Sequence, residues 1–156
     1  MFHNFRILFL FSALAALAGC SSMPTSPVSR PAPGTEGEVL VFRASSFIAG
    51  GVTLTVGADK DAFAHLSNGE QARVLLPAGT QEIFVRASSA EPTRLRVNVP
   101  KAGRVCLRAS ADLGTAAKVI VPIALMASGY HFYLDEVACP SAEELSKYKL
   151  VPVAYQ

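Results

Sequence analysis

Residues 65–87 read HLSNGEQARVLLPAGTQEIFVRA, and this stretch decides the fold class. It contains Asn68-Gly69, two residues that tolerate positive φ and together form the strongest short signal for a hairpin turn. The segments 71–76 and 81–87 are rich in β-branched and other apolar residues, and the turn residues 77–80 separate them. The stretch therefore predicts short strands joined by tight turns.

The same pattern continues on both sides of this stretch. Further strands are predicted at 38–43, 52–59, 62–66, 93–99, 104–109 and 130–137. In 93–99, Leu95, Val97 and Val99 alternate with polar residues and are expected to face inward. Strands that recur about every 8–12 residues with Gly, Pro and Asn turns between them predict an all-β domain, a small antiparallel β-sandwich.

The C-terminal region adds a short helix. Residues 141–148 begin with Ser141 as a candidate N-cap, and Glu144 stands at the capping-box spacing. The preceding segment, 110–129, contains an apolar run at 119–126 that Pro122 interrupts. A buried strand, an irregular segment and a patch that touches a partner or membrane all fit this run, and a buried strand is favoured because proline occurs at strand edges or ends.

The N-terminal residues 1–19 have the parts of a secretory signal peptide. Arg6 provides a weakly basic start, and residues 7–19 form an apolar core. A membrane-spanning helix is the alternative, but this core is shorter than the roughly 20 residues such a helix needs.

The leader ends in Leu17-Ala18-Gly19-Cys20, which resembles the lipobox of bacterial lipoproteins. The resemblance implies a diacylglycerol on the Cys20 sulfur, cleavage before Cys20 and acylation of the new N-terminus. Ser21 and Ser22 follow without an Asp, as in lipoproteins sent to the outer membrane, where they face the periplasm.

Residues 20–37 are rich in Pro, Ser and Gly, which predicts an extended tether. The expected organisation is therefore a signal peptide at 1–19, a lipid-anchored tether at 20–37 and the sandwich domain at 38–153.

Two cysteines remain once Cys20 carries lipid. Cys106 and Cys139 are expected to form a disulfide, since paired cysteines are common in oxidising compartments. Two separate thiols and a metal pair are the alternatives, although neither cysteine has the neighbours of a zinc site.

Charge excludes one class of partner. The chain has 14 basic and 12 acidic side chains, and this near balance argues against a nucleic-acid-binding protein, which carries a basic domain or stripe.

The sequence contains no recognised catalytic motif: G-x-S-x-G, H-E-x-x-H and the P-loop are all absent. His65 and His131 lack partners at ligand spacing, and Asp59 and Asp61 offer too few oxygens for calcium. No enzyme activity, metal or cofactor is therefore expected. The alternative is a weak hydrolase-like or inhibitor module that uses His131 or the Asp59/Asp61 turn.

Two sets of side chains are candidates for binding a partner. Arginines on neighbouring predicted strands form the first set: Arg86, Arg94, Arg96, Arg104 and Arg108. If several share a face, they can meet phosphates, carboxylates or an acidic protein; an ordinary solvated face paired with Glu82 and Glu91 is the alternative. The second set is the aromatic cluster of Tyr130, Phe132 and Tyr133. These rings either belong to the core or include exposed tyrosines, Tyr130 and Tyr133, that stack on a sugar or peptide.

The region 38–150 also resembles an uncharacterised family of small bacterial lipoprotein domains with PEGA-like patterning. Leu76-Pro77-Ala78-Gly79, Ile83-Phe84-Val85 and the turn Ala102-Gly103 carry the likeness, whereas 58–64 lacks the family's Asp-Gly-Lys turn. The resemblance implies a sandwich on a lipid tether and supplies no catalytic residues. The expected function is a membrane-anchored envelope protein with a binding or structural module for an envelope protein or polysaccharide.

Overall fold

The computed structural model of the chain describes residues 27–47, 49–87, 90–112 and 131–156. The leader, Cys20, Tyr130 and the apolar run at 119–126 lie outside the described residues. The described elements, in chain order, are β1 (Glu36–Arg43), β2 (Leu54–Ala58), β3 (Asp61–Leu66), β4 (Glu70–Pro77), β5 (Gly79–Ala87), β6 (Thr93–Val99), β7 (Arg104–Ala111), β8 (Phe132–Val137), α1 (Ala142–Leu145) and β9 (Lys149–Leu150). In this part of the chain no helix has the length and apolar character needed to cross a bilayer.

The strands form two sheets that pack face to face. The five-stranded sheet has the order β8-β7-β1-β4-β9, and the four-stranded sheet has the order β3-β2-β5-β6. Alternate residues of both sheets point into one apolar core, which includes the fully buried side chains Val39, Leu54, Val74, Ile83 and Leu107. The predicted all-β sandwich with a short C-terminal helix is confirmed.

Most neighbouring strands of the sandwich are antiparallel, and two pairs are parallel. β1 pairs with β7 in parallel, with Glu38 opposite Arg104, and β4 pairs with β9 in parallel. Between β1 and β7 the chain crosses to the four-stranded sheet and back twice, through β2–β3 before β4 and through β5–β6 after it. Strands of the opposite sheet therefore make the crossover that a helix makes in βαβ units.

Asn68-Gly69 makes a turn but not the predicted hairpin. Gly69 has φ of 73°, as the motif requires, yet β3 before it and β4 after it belong to different sheets. The dipeptide fixes the local backbone, whereas burial on both faces of β1 decides that β4 pairs with β1. The hairpins within one sheet are instead β2–β3, which contains a bulge, and β5–β6.

The two ends of the sandwich are distinct. The Phe47 end carries the β1–β2 connection at 44–53, the turn 67–69 and the starts of β8 and β9, while the Gly103 end carries the turns 77–79 and 100–103. At the Gly103 end the Glu38 amide donates to the Gly103 carbonyl over 2.8 Å, which ties β1 to the turn before β7.

The predicted tether is shorter than 20–37, because its last part packs on the domain. Val28 is buried in the core and forms a parallel bridge with Tyr155. The Val28 amide donates to the Ala154 carbonyl over 3.3 Å, and the Gln156 amide donates to the Val28 carbonyl over 3.0 Å. Residues 27–30 and 154–156 thus hold each other, and the domain extends beyond both predicted boundaries, 38 and 153.

Candidate functional site

On the outer face of the four-stranded sheet, two of the predicted arginines share one carboxylate. Arg94 lies across β5–β6 from Phe84, and Arg96 lies opposite Glu82. One Arg94 guanidinium nitrogen is 2.8 Å from Glu82 Oε1, and Arg96 Nε is 3.6 Å from Glu82 Oε2. This is the pairing with Glu82 that the alternative interpretation describes. Such exposed ion pairs contribute little to stability. In them, however, the charges of Arg94 and Arg96 are already paired with the Glu82 carboxylate.

Arg94 also covers an aromatic ring on this face. Its guanidinium carbon is 5.4 Å from the centre of the Phe84 ring, and Phe84 lies across Gly57 of the neighbouring strand. Arg86 lies on the same face, opposite Thr55. On this side of the molecule, a cavity of about 490 Å³ is lined by Glu82, Arg96 and Thr80 of the four-stranded sheet and by Asp59, Lys60 and Asp61.

The other two predicted arginines lie on the outer face of the five-stranded sheet. Arg104 Nε is 2.8 Å from Glu38 Oε1, across the β1–β7 pair. The Arg108 guanidinium approaches Asp135 only to 3.9 Å, and both side chains are about half exposed (50 and 51%). The five arginines thus divide between two faces that point away from each other, and they do not form one cationic surface.

The predicted aromatic set also divides. Phe132 is buried in the core at the start of β8, whereas Tyr133 next to it is exposed on the outer face of the five-stranded sheet, opposite Ser110. Tyr130 lies outside the described residues.

The candidate catalytic residues are not brought together. Asp59 and Asp61 flank the β2–β3 turn, which points toward the Gly103 end, whereas His131 precedes β8 at the Phe47 end and is exposed. His65 Nδ1 lies 3.3 Å from Thr55 Oγ1 on the outer face of the four-stranded sheet. Among the described residues no three His, Cys, Asp or Glu side chains cluster as metal ligands would.

A groove lies beside the disulfide. Cys106 of β7 and Cys139 after β8 are bonded, which confirms the predicted pair, and their Cα atoms are 5.1 Å apart. The bond holds the chain where it leaves β8, so that α1 packs on the outer face of the five-stranded sheet. The groove measures about 670 Å³ and is lined by side chains that include Phe42, Arg108, Cys139, Glu144, Lys147 and Tyr148.

A small second core lies next to this groove and contributes Phe42 to its lining. Leu40, Phe42, Cys106 and Leu145 are buried together, and the Phe42 and Tyr148 rings meet edge to face with their centres 5.3 Å apart. The Gln71 side-chain amide, itself buried, donates to the carbonyls of Leu145 (2.9 Å) and Tyr148 (3.1 Å) and so ends the helix. The groove is therefore built on fixed elements.

Of the predicted binding residues that the structure describes, Arg108 alone lines the groove. The sequence pattern does not identify Phe42, Lys147 and Tyr148 as site residues. One signal was available for Phe42: residues 39–42 are apolar at four successive positions, which indicates a strand buried on both faces and hence a second layer outside the sheet.

Comparison with known proteins finds no match: no family model, no curated protein and no solved structure is significantly similar to this chain.

Proposed function

We propose that the chain is a lipoprotein of a bacterial envelope, held at the inner leaflet of the outer membrane by acyl groups on Cys20. The leader, the Leu17–Cys20 motif and the Pro/Ser-rich tether support this proposal. The Cys106–Cys139 bond supports it independently, since such bonds persist in oxidising compartments such as the periplasm.

The sandwich acts as a non-catalytic binding module, and the groove beside the disulfide is its binding surface. The observation that carries this proposal is the position of Arg108, which lines the groove together with the Phe42 and Tyr148 rings and is half exposed, with its nearest approach to Asp135 at 3.9 Å. Lys147 adds a second cation. Arg108 and Lys147 fit carboxylates or phosphates of an envelope polymer or protein, and the rings fit its apolar or sugar surfaces.

The anchor is tested by the intact mass of protein extracted from membranes. We expect a chain that starts at Cys20 and carries acyl groups, and we expect Cys20→Ala to leave the membrane fraction. An unmodified chain that retains residues 1–19 would refute the anchor.

The binding surface is tested by capture from cross-linked cells. The double variant Arg108→Ala/Lys147→Ala should recover less of the envelope component that the wild type captures. The matched control is Arg96→Ala, since Arg96 is exposed and lies on the opposite sheet. Equal recovery by the groove variant and the control would exclude the groove as the binding surface.

A further inference from the structure

Phe47 is the most exposed large apolar side chain of the described residues. Its relative exposure is 100%, and Tyr133 (54%) and Leu150 (56%) are the other exposed large hydrophobic side chains in this part of the chain. A fully exposed phenyl ring is unfavourable in water. Isolated surface apolar residues are common, so the surroundings of Phe47 decide whether its exposure has a role.

On one side of Phe47 the connection 44–53 is held by Asn68. The Ser46 amide donates to Asn68 Oδ1 over 2.9 Å, and the Asn68 side-chain amide donates back to the Ser46 carbonyl over 3.0 Å. This reciprocal pair fixes the backbone immediately before Phe47 to the turn between β3 and β4.

On the other side the connection is held by a buried arginine. Both terminal nitrogens of Arg43 donate to backbone carbonyls, one to Val52 and one to Ala49. Ala49 is itself buried, with φ of 56°. Ser46 on one side and Ala49 on the other are thus held by hydrogen bonds, and Phe47 lies between these two fixed positions with its side chain exposed.

The other two exposed apolar side chains lie toward the same end. Tyr133 is the second residue of β8, and Leu150 is the second residue of β9; both strands begin at the Phe47 end. In the described part of the chain, the large exposed apolar side chains are therefore concentrated at one end of the sandwich.

The first described residues run in a defined direction. From β9 to Tyr155 the backbone runs away from the Phe47 end, alongside β4, and the Tyr155 hydroxyl accepts a hydrogen bond from the Leu75 amide over 2.7 Å. Since the Val28–Tyr155 bridge is parallel, Pro27 lies on the side of Val28 that is nearer to the Phe47 end. The seven steps from Pro27 back to Cys20 span at most about 25 Å.

We infer that the Phe47 end of the sandwich faces the bilayer and that Phe47 inserts at the boundary between headgroups and acyl chains. This inference rests on the proposed lipid anchor at Cys20. The anchor supplies the membrane attachment, and Phe47 sets the orientation, with Tyr133 and Leu150 close to the same surface. Aromatic rings are favoured at that depth of a bilayer.

The chain contains no tryptophan, so a single introduced tryptophan reports its own depth. The test uses the full lipidated protein in vesicles of phosphatidylethanolamine and phosphatidylglycerol, with and without brominated acyl chains. We expect the tryptophan of Phe47→Trp to show blue-shifted fluorescence. We expect the brominated lipid to quench most of this fluorescence. The matched control, Lys101→Trp, places the reporter at an exposed position of the Gly103 end and should be unaffected.

The mass of each sample separates the two proposals. A sample without acyl groups refutes the anchor and the inference together. In an acylated sample, an unquenched Phe47→Trp, or equal quenching of Phe47→Trp and Lys101→Trp, refutes the inference alone. Selective quenching of Phe47→Trp supports it. Both replaced residues are exposed in the native fold, so circular dichroism of each variant should match that of the wild type.

Discussion

Arg43 is a charged residue at an inward-facing position, the last of β1. Its side chain is 2% exposed, and its guanidinium carbon is 4.9 Å from the centre of the Phe132 ring. Burial lowers the pKa of Arg43 from its usual value, but an arginine in a protein remains charged. Its charge is balanced by the carbonyl dipoles of Ala49 and Val52 rather than by a carboxylate within salt-bridge distance among the described residues.

Replacing Arg43 by methionine keeps the apolar stem and removes the donors. We expect Arg43→Met to lower the free energy of unfolding by about 2–3 kcal/mol, because two buried carbonyls lose hydrogen bonds from a charged donor. Urea denaturation measures the change. The control, Arg96→Met, removes an exposed arginine and should have little effect; a similarly small effect for Arg43→Met would contradict this account.

Gly57 is required by the ring that covers it. A Cβ at this position would lie 2.2 Å from Phe84 Cζ and 2.4 Å from the Asp61 carbonyl oxygen. We expect Gly57→Ala to destabilise the fold by roughly 1–3 kcal/mol, the usual cost of overpacking. Thermal unfolding measures it.

Gly51→Ala is the matched control for Gly57→Ala, since a Cβ at Gly51 meets no atom within 4 Å. Equal melting temperatures for the two variants would show that the contact with Phe84 does not constrain the strand.

At this scale the sequence is informative about the disulfide and the inward face of β6, but not about Arg43 or Gly57. The cysteine pair follows from compartment and count, and the alternation in 93–99 places Val97 and Val99 in the core, as observed. The carbonyls that accept hydrogen bonds from Arg43 belong to the β1–β2 connection, whose sequence has no periodic pattern of apolar residues. Gly57 is needed because of a neighbouring strand, and sequence order does not identify that neighbour.

The elements themselves were largely predictable. The predicted strand at 71–76 is observed as Glu70–Pro77, and the one at 93–99 is observed as Thr93–Val99. Apolar residues and turn residues determine where a strand begins and ends. The helix is shorter than predicted, Ala142–Leu145 instead of 141–148, since its C-terminal end is stopped by bonds to Gln71 from another element.

The N-terminus of α1 has the predicted capping box. The Glu144 amide donates to Ser141 Oγ over 3.2 Å, and the Ser141 amide donates to Glu144 Oε2 over 2.9 Å. The bond from the Ser141 backbone holds the pKa of Glu144 below its usual value. The folded helix therefore binds a proton less readily than the unfolded chain, and the capping box is more stabilising above the ordinary Glu pKa than below it.

We expect the helix to loosen as the pH falls from neutral through the ordinary glutamate range, near about pH 4.3, and on through the folded-state pKa. Amide exchange at Leu145 and Ser146, measured by NMR against pH, should show this. Glu144→Gln should remove the pH dependence, and Ser141→Ala should cost about 1 kcal/mol at neutral pH. Retention of the full pH dependence in Glu144→Gln would assign it to another group.

At the scale of the whole molecule, local pattern does not determine which sheet a strand joins. The arginines illustrate the consequence: Arg96 and Arg104 are close in sequence, but the turn at 100–103 carries the chain from the four-stranded to the five-stranded sheet. The groove is also a whole-molecule feature, because it needs β1, β7, the disulfide and α1 together.

The contact between residues 27–30 and 154–156 is tested by Tyr155→Ala. The substitution removes the ring beneath Arg30, whose guanidinium carbon is 4.8 Å from the ring centre, and the acceptor of the Leu75 amide. We expect residues 27–30 to detach, and amide exchange at Val28 to accelerate roughly tenfold, as about 1.4 kcal/mol of local stability would imply. The core amides of β1 should be unchanged.

Tyr133→Ala is the control for this experiment, since it removes an exposed tyrosine far from Val28 in the fold. Unchanged protection of Val28 in Tyr155→Ala would mean that the backbone bonds to Ala154 and Gln156 hold the segment without the ring.

The central position of β1 has a consequence for biogenesis. Of the described strands, β1 is the first to leave the ribosome or a translocation pore, yet one of its two neighbours, β7, begins 61 residues after β1 ends. Until β7 has emerged, one hydrogen-bonding edge of β1 is unpaired, and residues 39–42 are apolar on both faces of the strand. This is the condition under which nascent chains associate. A holdase chaperone that shields β1 until Ala111 has emerged would therefore raise the yield of correctly folded protein.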